Sequence, residues 1–119
     1  MTGSVLIVDD EENLLMLLDR YLTKDGFHVK TASNSPQALH LVDQETFDVA
    51  ILDIKMFPID GITLLAELKT RSPSTQVIMA TAYPAPDSRN ECMRRGASAF
   101  LTKPLDLSEV GTVAHSFMK

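Results

Sequence analysis

Apolar positions along the chain fall into two alternating patterns. The first is a set of short, unbroken runs: Val5-Leu6-Ile7-Val8, Val49-Ala50-Ile51-Leu52 and Val77-Ile78-Met79-Ala80. A run without polar interruption reads as a strand buried on both faces, because a half-exposed strand alternates with polar residues. Phe27 to Thr31 and Ala99 to Thr102 add two shorter strands. The second pattern has helical spacing. Leu14, Leu15, Leu18, Tyr21 and Leu22 form one stripe between Glu11 and Asp25, predicting a helix closed by Gly26, with Met16 turned to solvent. Ser35-Pro36 reads as N-cap and first-turn proline of a helix reaching about Gln44.

Asp60-Gly61 opens a third helix carrying Ile62, Leu64, Leu65 and Leu68, and Ser72-Pro73 ends it. Pro84 and Pro86 keep the segment after Thr81 a loop, so a fourth, poorly amphipathic helix begins at about Pro86 and is closed by Gly96. Asp106-x-x-Glu109 has the form of a capping box for a last helix burying Leu107, Val110, Ala114 and Phe117. Gly111 within it costs about 1 kcal/mol against Ala, which predicts a weakly held end. Five strands thus alternate with five helices. That alternation predicts an α/β domain whose parallel sheet is covered on both faces through right-handed crossovers.

Composition narrows the partners. The 119 residues suffice for one domain, taken as 1–119 with no output domain in the chain. A formal charge of -5 argues against direct nucleic-acid binding, which needs clustered Lys and Arg. Cys92 is the single cysteine, so no intramolecular disulfide can form; it reads as a small buried or half-buried hydrophobe in a reducing compartment. With no basic leader and no apolar run near the ~18 residues of a membrane span, the expectation is a cytoplasmic protein without membrane contact.

The strand ends carry the chemistry. Asp9 and Asp10 follow the first strand, Asp53 ends the third, Thr81 the fourth, and Lys103 follows the fifth. In a parallel sheet these ends meet at one edge, where ligands collect. Three carboxylates in one cleft repel, since two unit charges ~4 Å apart cost about 4 kcal/mol at an effective dielectric near 20. Lys103 and a divalent ion would relieve that repulsion. An all-oxygen site rich in carboxylates suits Mg²⁺, which binds through carboxylates and phosphate oxygens and so points to phosphoryl chemistry. Asp53, alone at its strand end, is the candidate nucleophile, and Asp9-Asp10 form a metal pair.

These residues resemble a known family, the receiver domains of two-component response regulators. The motifs are Val8-Asp9-Asp10-Glu11, Leu52-Asp53-Ile54-Lys55-Met56 with Asp60-Gly61, Thr81-Ala82-Tyr83, and Phe100-Leu101-Thr102-Lys103-Pro104. The resemblance covers essentially the whole chain and implies a flavodoxin-like (βα)5 fold with strand order 2-1-3-4-5. It implies that Asp53 accepts a phosphoryl group from a histidine kinase or phosphotransfer protein, and that Asp10, Asp53 and the Lys55 backbone carbonyl bind Mg²⁺ directly, with Asp9 acting mainly through water. It further implies that Thr81 and the Ala82 amide hold phosphoryl oxygens, that Lys103 pairs with the charge, and that the Lys103-Pro104 bond is cis. Phosphorylation would then draw Thr81 and Lys103 inward and let Phe100 turn in behind, altering the surface of the fourth helix, fifth strand and fifth helix. That surface would control an output domain beyond Lys119 or a separate effector, or would pair two copies of the chain. No activity beyond its own phosphoryl transfer and loss is implied.

Two features individualise the chain. Phe57 stands where the family commonly has proline, which comes one later at Pro58, predicting a differently shaped lip and a Phe57 beside the cleft that shields it. Lys55 and Tyr83 flank the path of attacking water and are expected to lengthen phosphoryl lifetime. His28, His40 and His115 lack ligand spacing, and Arg94-Arg95 reads as a solvated helix end. A haloacid-dehalogenase-type phosphohydrolase would need an acid where Lys55 stands, and a dinucleotide-binding domain a glycine-rich turn where Asp9-Asp10-Glu11-Glu12 stands. The remaining alternative is a module of the same fold that phosphate does not switch.

Overall fold

The computed structural model describes residues 3–56, 58–82 and 85–118. Strands β1 (Ser4–Val8), β2 (His28–Ala32), β3 (Val49–Asp53), β4 (Gln76–Thr81) and β5 (Ala99–Thr102) alternate with helices α1 (Glu12–Lys24), α2 (Ser35–Gln44), α3 (Gly61–Arg71), α4 (Pro86–Arg94) and α5 (Leu107–Ser116). The strands form one parallel sheet in the order β2-β1-β3-β4-β5, as the resemblance implies.

The unbroken apolar runs are explained by two cores, one on each face. Leu6, Val8, Ala50, Leu52, Val77 and Met79 pack with Ala38, Leu64, Leu65, Leu68 and Cys92 beneath α2, α3 and α4. Their neighbours Val5, Ile7, Val49, Ile51 and Ile78 face the other way, against Leu15, Leu18 and Leu22 of α1 and Val110 and Ala114 of α5. Successive side chains on a strand point to opposite faces, so each residue of a central strand finds apolar cover. Cys92 is fully buried. Met16 is half exposed, as its place off the α1 stripe predicts, and Leu17 beside it equally so. Among the described residues no helix is long and apolar enough to cross a membrane.

Two boundaries depart from expectation. Phe27 belongs to the end of α1 rather than to β2: its N–H donates to the Leu22 carbonyl (2.9 Å), while Gly26 (φ 102°) donates to Thr23. This is a Schellman closure, and it turns Phe27 into the core. Gly96 (φ 105°) closes α4 in the same way, with Ala97 donating to Cys92. The N-cap of α2 is Asn34, not Ser35; its Oδ1 accepts the Gln37 N–H at 2.9 Å, and Pro36 follows in the first turn. The caps of α3 and α5 are Asp60 and Asp106, as read.

Leu107 and Phe117 are only half-buried, whereas Val110 and Ala114 are fully buried. The loose end expected from Gly111 is offset by tertiary contacts. A Cβ at Gly111 would lie 3.2 Å from the Tyr21 ring, so its absence lets α5 approach α1 closely. His115 Nε2 lies 2.8 Å from Asp25 Oδ2, and its ring lies against Phe27. Arg94 and Arg95 are exposed and pair with Glu91 on their own helix.

Candidate functional site

The sheet register brings the chemical residues to one edge. Val8 is level with Leu52, so Asp9 leaves β1 beside Asp53 at the end of β3. Asp53 is level with Ala80, and the Ile54 N–H donates to the Ala80 carbonyl (3.2 Å), which places Thr81 one residue further out. Thr81 in turn is level with Thr102, and the Lys103 N–H donates to the Thr81 carbonyl at 2.8 Å. Lys103 is thereby anchored at the edge, and its bond to Pro104 is cis, as implied.

Lys103 crosses from β5 to the acids. Its Nζ lies 2.7 Å from Asp9 Oδ2 and 3.5 Å from Asp53 Oδ2, with 15% of the side chain exposed. The other Asp9 oxygen accepts the Glu11 N–H at 2.9 Å, and Asp53 Oδ1 accepts the Lys55 N–H at 3.3 Å. Asp10 is exposed. Each of Asp9, Asp10 and Asp53 offers a carboxylate oxygen within 4.8 Å of the others, an arrangement able to hold a metal ion.

Charges in the site are unequal. Burial pushes the Asp53 carboxyl above its ordinary value, and the neighbouring charge of Asp9 adds to the rise; the Lys103 charge and the Lys55 amide oppose it. Burial pulls Lys103 downward, but its hydrogen bond to Asp9 and the charges of Asp9 and Asp53 outweigh that, holding the ammonium above its ordinary value. The result is a cationic arm over a carboxyl whose ionised form burial disfavours. The three acids so placed could hold a metal ion.

The structure thus gathers Asp9, Asp10, Asp53 and Lys103, and it places the buried Thr81 (1% exposed) and the exposed Ala82 beside them. Lys55 is exposed on the loop after Asp53. Phe57 and Tyr83 lie outside the described residues. Phe100 is half-buried, and the Arg89 guanidinium sits over its ring at 5.8 Å from the centroid. Arg89 and Gly61 were not singled out for the site by pattern reading. A Cβ at Gly61 would lie 2.1 Å from the Asp53 carbonyl oxygen and 2.6 Å from Ile54 Cα, so only glycine lets α3 start against the strand bearing Asp53. The Asp60-Gly61 pair was visible in the sequence, as a helix opening and as part of the motif that carries the resemblance.

A parallel 2-1-3-4-5 sheet with clustered acids and a lysine at its carboxyl edge defines a class of phosphate-handling α/β domains. Comparison with known proteins makes the assignment specific: residues 5–115 match the model of the response regulator receiver domain, and the chain belongs to that family. It is 33% identical over 118 residues to sporulation initiation phosphotransferase F of Bacillus subtilis, covering 99% of this chain and 95% of that protein. It is 39% identical over 106 residues to the transcriptional regulatory protein ZraR of Klebsiella oxytoca, covering 89% of this chain and 24% of that protein. The chain therefore spans about a quarter of the length of that regulator. Among solved structures, a response regulator from Burkholderia pseudomallei with a phosphorylated aspartic acid, calcium ion and citrate superposes with a TM-score of 0.87. It is 27% identical, over 91% of this chain and 64% of that one. The chain is a phosphoryl-transfer signalling switch of the two-component type.

Proposed function

We propose that Asp53 is the phosphoacceptor of this domain. The observation that carries the reading is the Lys103 bridge, 2.7 Å to Asp9 and 3.5 Å to Asp53, over three clustered carboxylates. A carboxylate oxygen of Asp53 attacks the phosphorus of a phosphohistidine on a sensor kinase or phosphotransfer protein. The phosphorus–nitrogen bond breaks, its electron pair returns to the imidazole, and the ring takes up a proton from solvent. Lys103 compensates the charge on the transferred group, and Thr81 and the Ala82 amide donate to its oxygens.

The donor set fits a hard, oxygen-seeking cation. Asp10, Asp53 and the Lys55 carbonyl would hold Mg²⁺ directly. Asp9, with both oxygens already engaged by Lys103 and the Glu11 amide, would act through water. Bound there, Mg²⁺ would supply positive charge against the phosphoryl oxygens. The same site lets the chain lose its phosphoryl group to water, at a rate that Lys55 and Tyr83 moderate; no other enzymatic activity is proposed.

Phosphorylation adds about -1.5 to -2 charge units and draws Thr81 and Lys103 toward the new oxygens. Phe100 then exchanges its half-buried place under Arg89 for the space behind Thr81, and the α4-β5-α5 face changes. That face addresses an output domain beyond Lys119, an effector protein or a second copy of the chain, in the cytoplasm. Incubation with Mg²⁺ and acetyl phosphate tests the centre of the reading. A phosphoryl mass gain that Asp53→Asn abolishes is expected. No gain, or one that survives Asp53→Asn, would return the chain to a module of the same fold that phosphate does not switch.

A further inference from the structure

Ser35 stands at the start of α2, where the sequence alone suggests a cap, yet Asn34 performs the capping and Gln37 Oε1 accepts the Ser33 N–H at the same turn. The Ser35 side chain is free for another task. It is fully buried, and its Oγ accepts the N–H of Ile59 at 2.9 Å, across 24 residues of sequence. Ile59 belongs to the lip that joins Asp53 to α3. Pro58 has no N–H, so Ile59 offers the first amide after it, and that amide is the one held.

The lip is fastened at its two ends. Near Asp53, Ile54 donates to the Ala80 carbonyl and accepts from Gly61 N–H at 2.7 Å and Met56 N–H at 3.1 Å. At the far end Asp60 caps α3 through the Thr63 N–H. Met56 is buried (3% exposed), whereas Lys55 beside it is exposed. Beside the packing of Ile59 against the core under α2 and α3, the Ser35 hydroxyl ties the second half of the lip by a hydrogen bond to the start of the neighbouring α2. Loop position is set by such anchors, and groups that orient ligands from outside govern metal affinity strongly.

We propose that Ser35 is a positioning residue for the metal site: its buried hydroxyl clamps the lip at Ile59 and so holds the Lys55 carbonyl where Mg²⁺ needs it. The inference rests on the metal reading proposed above. Ser35 touches no reacting atom; it acts through the lip.

The test measures Mg²⁺ affinity by backbone amide shifts, together with hydrogen exchange at Ile59, in wild type, Ser35→Ala, Ser35→Thr and Asn34→Ala. Ser35→Ala is expected to speed Ile59 exchange about ten-fold and to weaken Mg²⁺ binding about ten-fold, with most of both recovered by the hydroxyl of Ser35→Thr. Asn34→Ala, which loosens the helix start but leaves the clamp, is expected to keep wild-type Mg²⁺ affinity while lowering the melting temperature. Equal Mg²⁺ affinity in Ser35→Ala and wild type overturns the clamp, whatever Ile59 exchange does. So does a loss in Asn34→Ala as large as in Ser35→Ala, because helix stability would then explain both. A wild-type chain that shows no Mg²⁺-dependent shifts overturns the metal reading itself, a result distinguishable from either.

Discussion

Asp53→Asn is expected to make the folded domain more stable at neutral pH when no divalent ion is present. Asp53 is 7% exposed, so its charge is held largely away from water. With carboxylate oxygens within 4.8 Å, Asp9 repels it by about 3 kcal/mol at an effective dielectric near 20, and the exposed Asp10 by a smaller, screened amount. Lys103 at 3.5 Å attracts it by about 5 kcal/mol on the same basis. These Coulomb contributions nearly cancel. Burial therefore decides the balance, in agreement with its being the leading cause of the raised Asp53 value. Asn keeps the shape without the charge, so the expected gain is about 1–2 kcal/mol, or roughly 3–8 °C in Tm for a domain of this size. The pH dependence has a definite sign. The carboxyl is raised in the folded chain, so its cost is full above the folded pKa and fades as pH falls toward the ordinary carboxylate value, where Asp53 is protonated in both states. Thermal unfolding of both proteins from pH 4 to 8 in a chelator, at low salt, reads this directly. Saturating Mg²⁺ should narrow or invert the ranking, because it stabilises the chain that binds it better. A substituted protein less stable at pH 7 than wild type, or an advantage that grows on acidification, would refute the reasoning.

Lys103→Met should cost about 2–3 kcal/mol at neutral pH by leaving Asp9 and Asp53 without their cation. Asp53, already raised, rises further, so denaturant titrations should show the deficit shrinking as pH falls; a deficit independent of pH would count against the charge argument. Gly61→Ala should cost about 2–3 kcal/mol, since its Cβ would meet the Asp53 carbonyl and Ile54 Cα, and an unchanged urea midpoint would show that α3 can move aside at no cost. Arg89→Ala should lower stability by no more than about 1 kcal/mol while freeing the Phe100 ring. Unaltered Phe100 ring resonances in that variant would deny Arg89 any hold on the aromatic.

Legibility in the sequence followed physical range. The strands were readable because a residue that needs cover on both faces must be apolar, and Val49 to Leu52 could hardly be anything else. Caps at Asp60 and Asp106 were readable because a cap is satisfied within three residues. Ser35 misled for the same reason: serine before proline satisfies the local pattern as well as Asn34 does, and only the loop arriving from 24 residues away separates them. Gly111 misled in the opposite direction. Its local cost is real, but its lack of a side chain is what admits Tyr21 and Asp25.

By itself the sequence determined the alternation of elements, the burial of the three central strands and the gathering of Asp9, Asp10, Asp53, Thr81 and Lys103 at one edge, since the carboxyl ends of parallel strands share that edge. Tertiary structure alone decided how the charges are shared: Lys103 stands closer to Asp9 than to Asp53, and burial leaves Asp53 the raised acid. It alone decided that Gly61 lies against the Asp53 carbonyl, that Arg89 covers Phe100, and that Ser35 reaches Ile59. Periodicity says which face a residue occupies. Distances of a few ångströms between elements far apart in the chain arise only when the layers pack, and the reactivity of Asp53 depends on those distances.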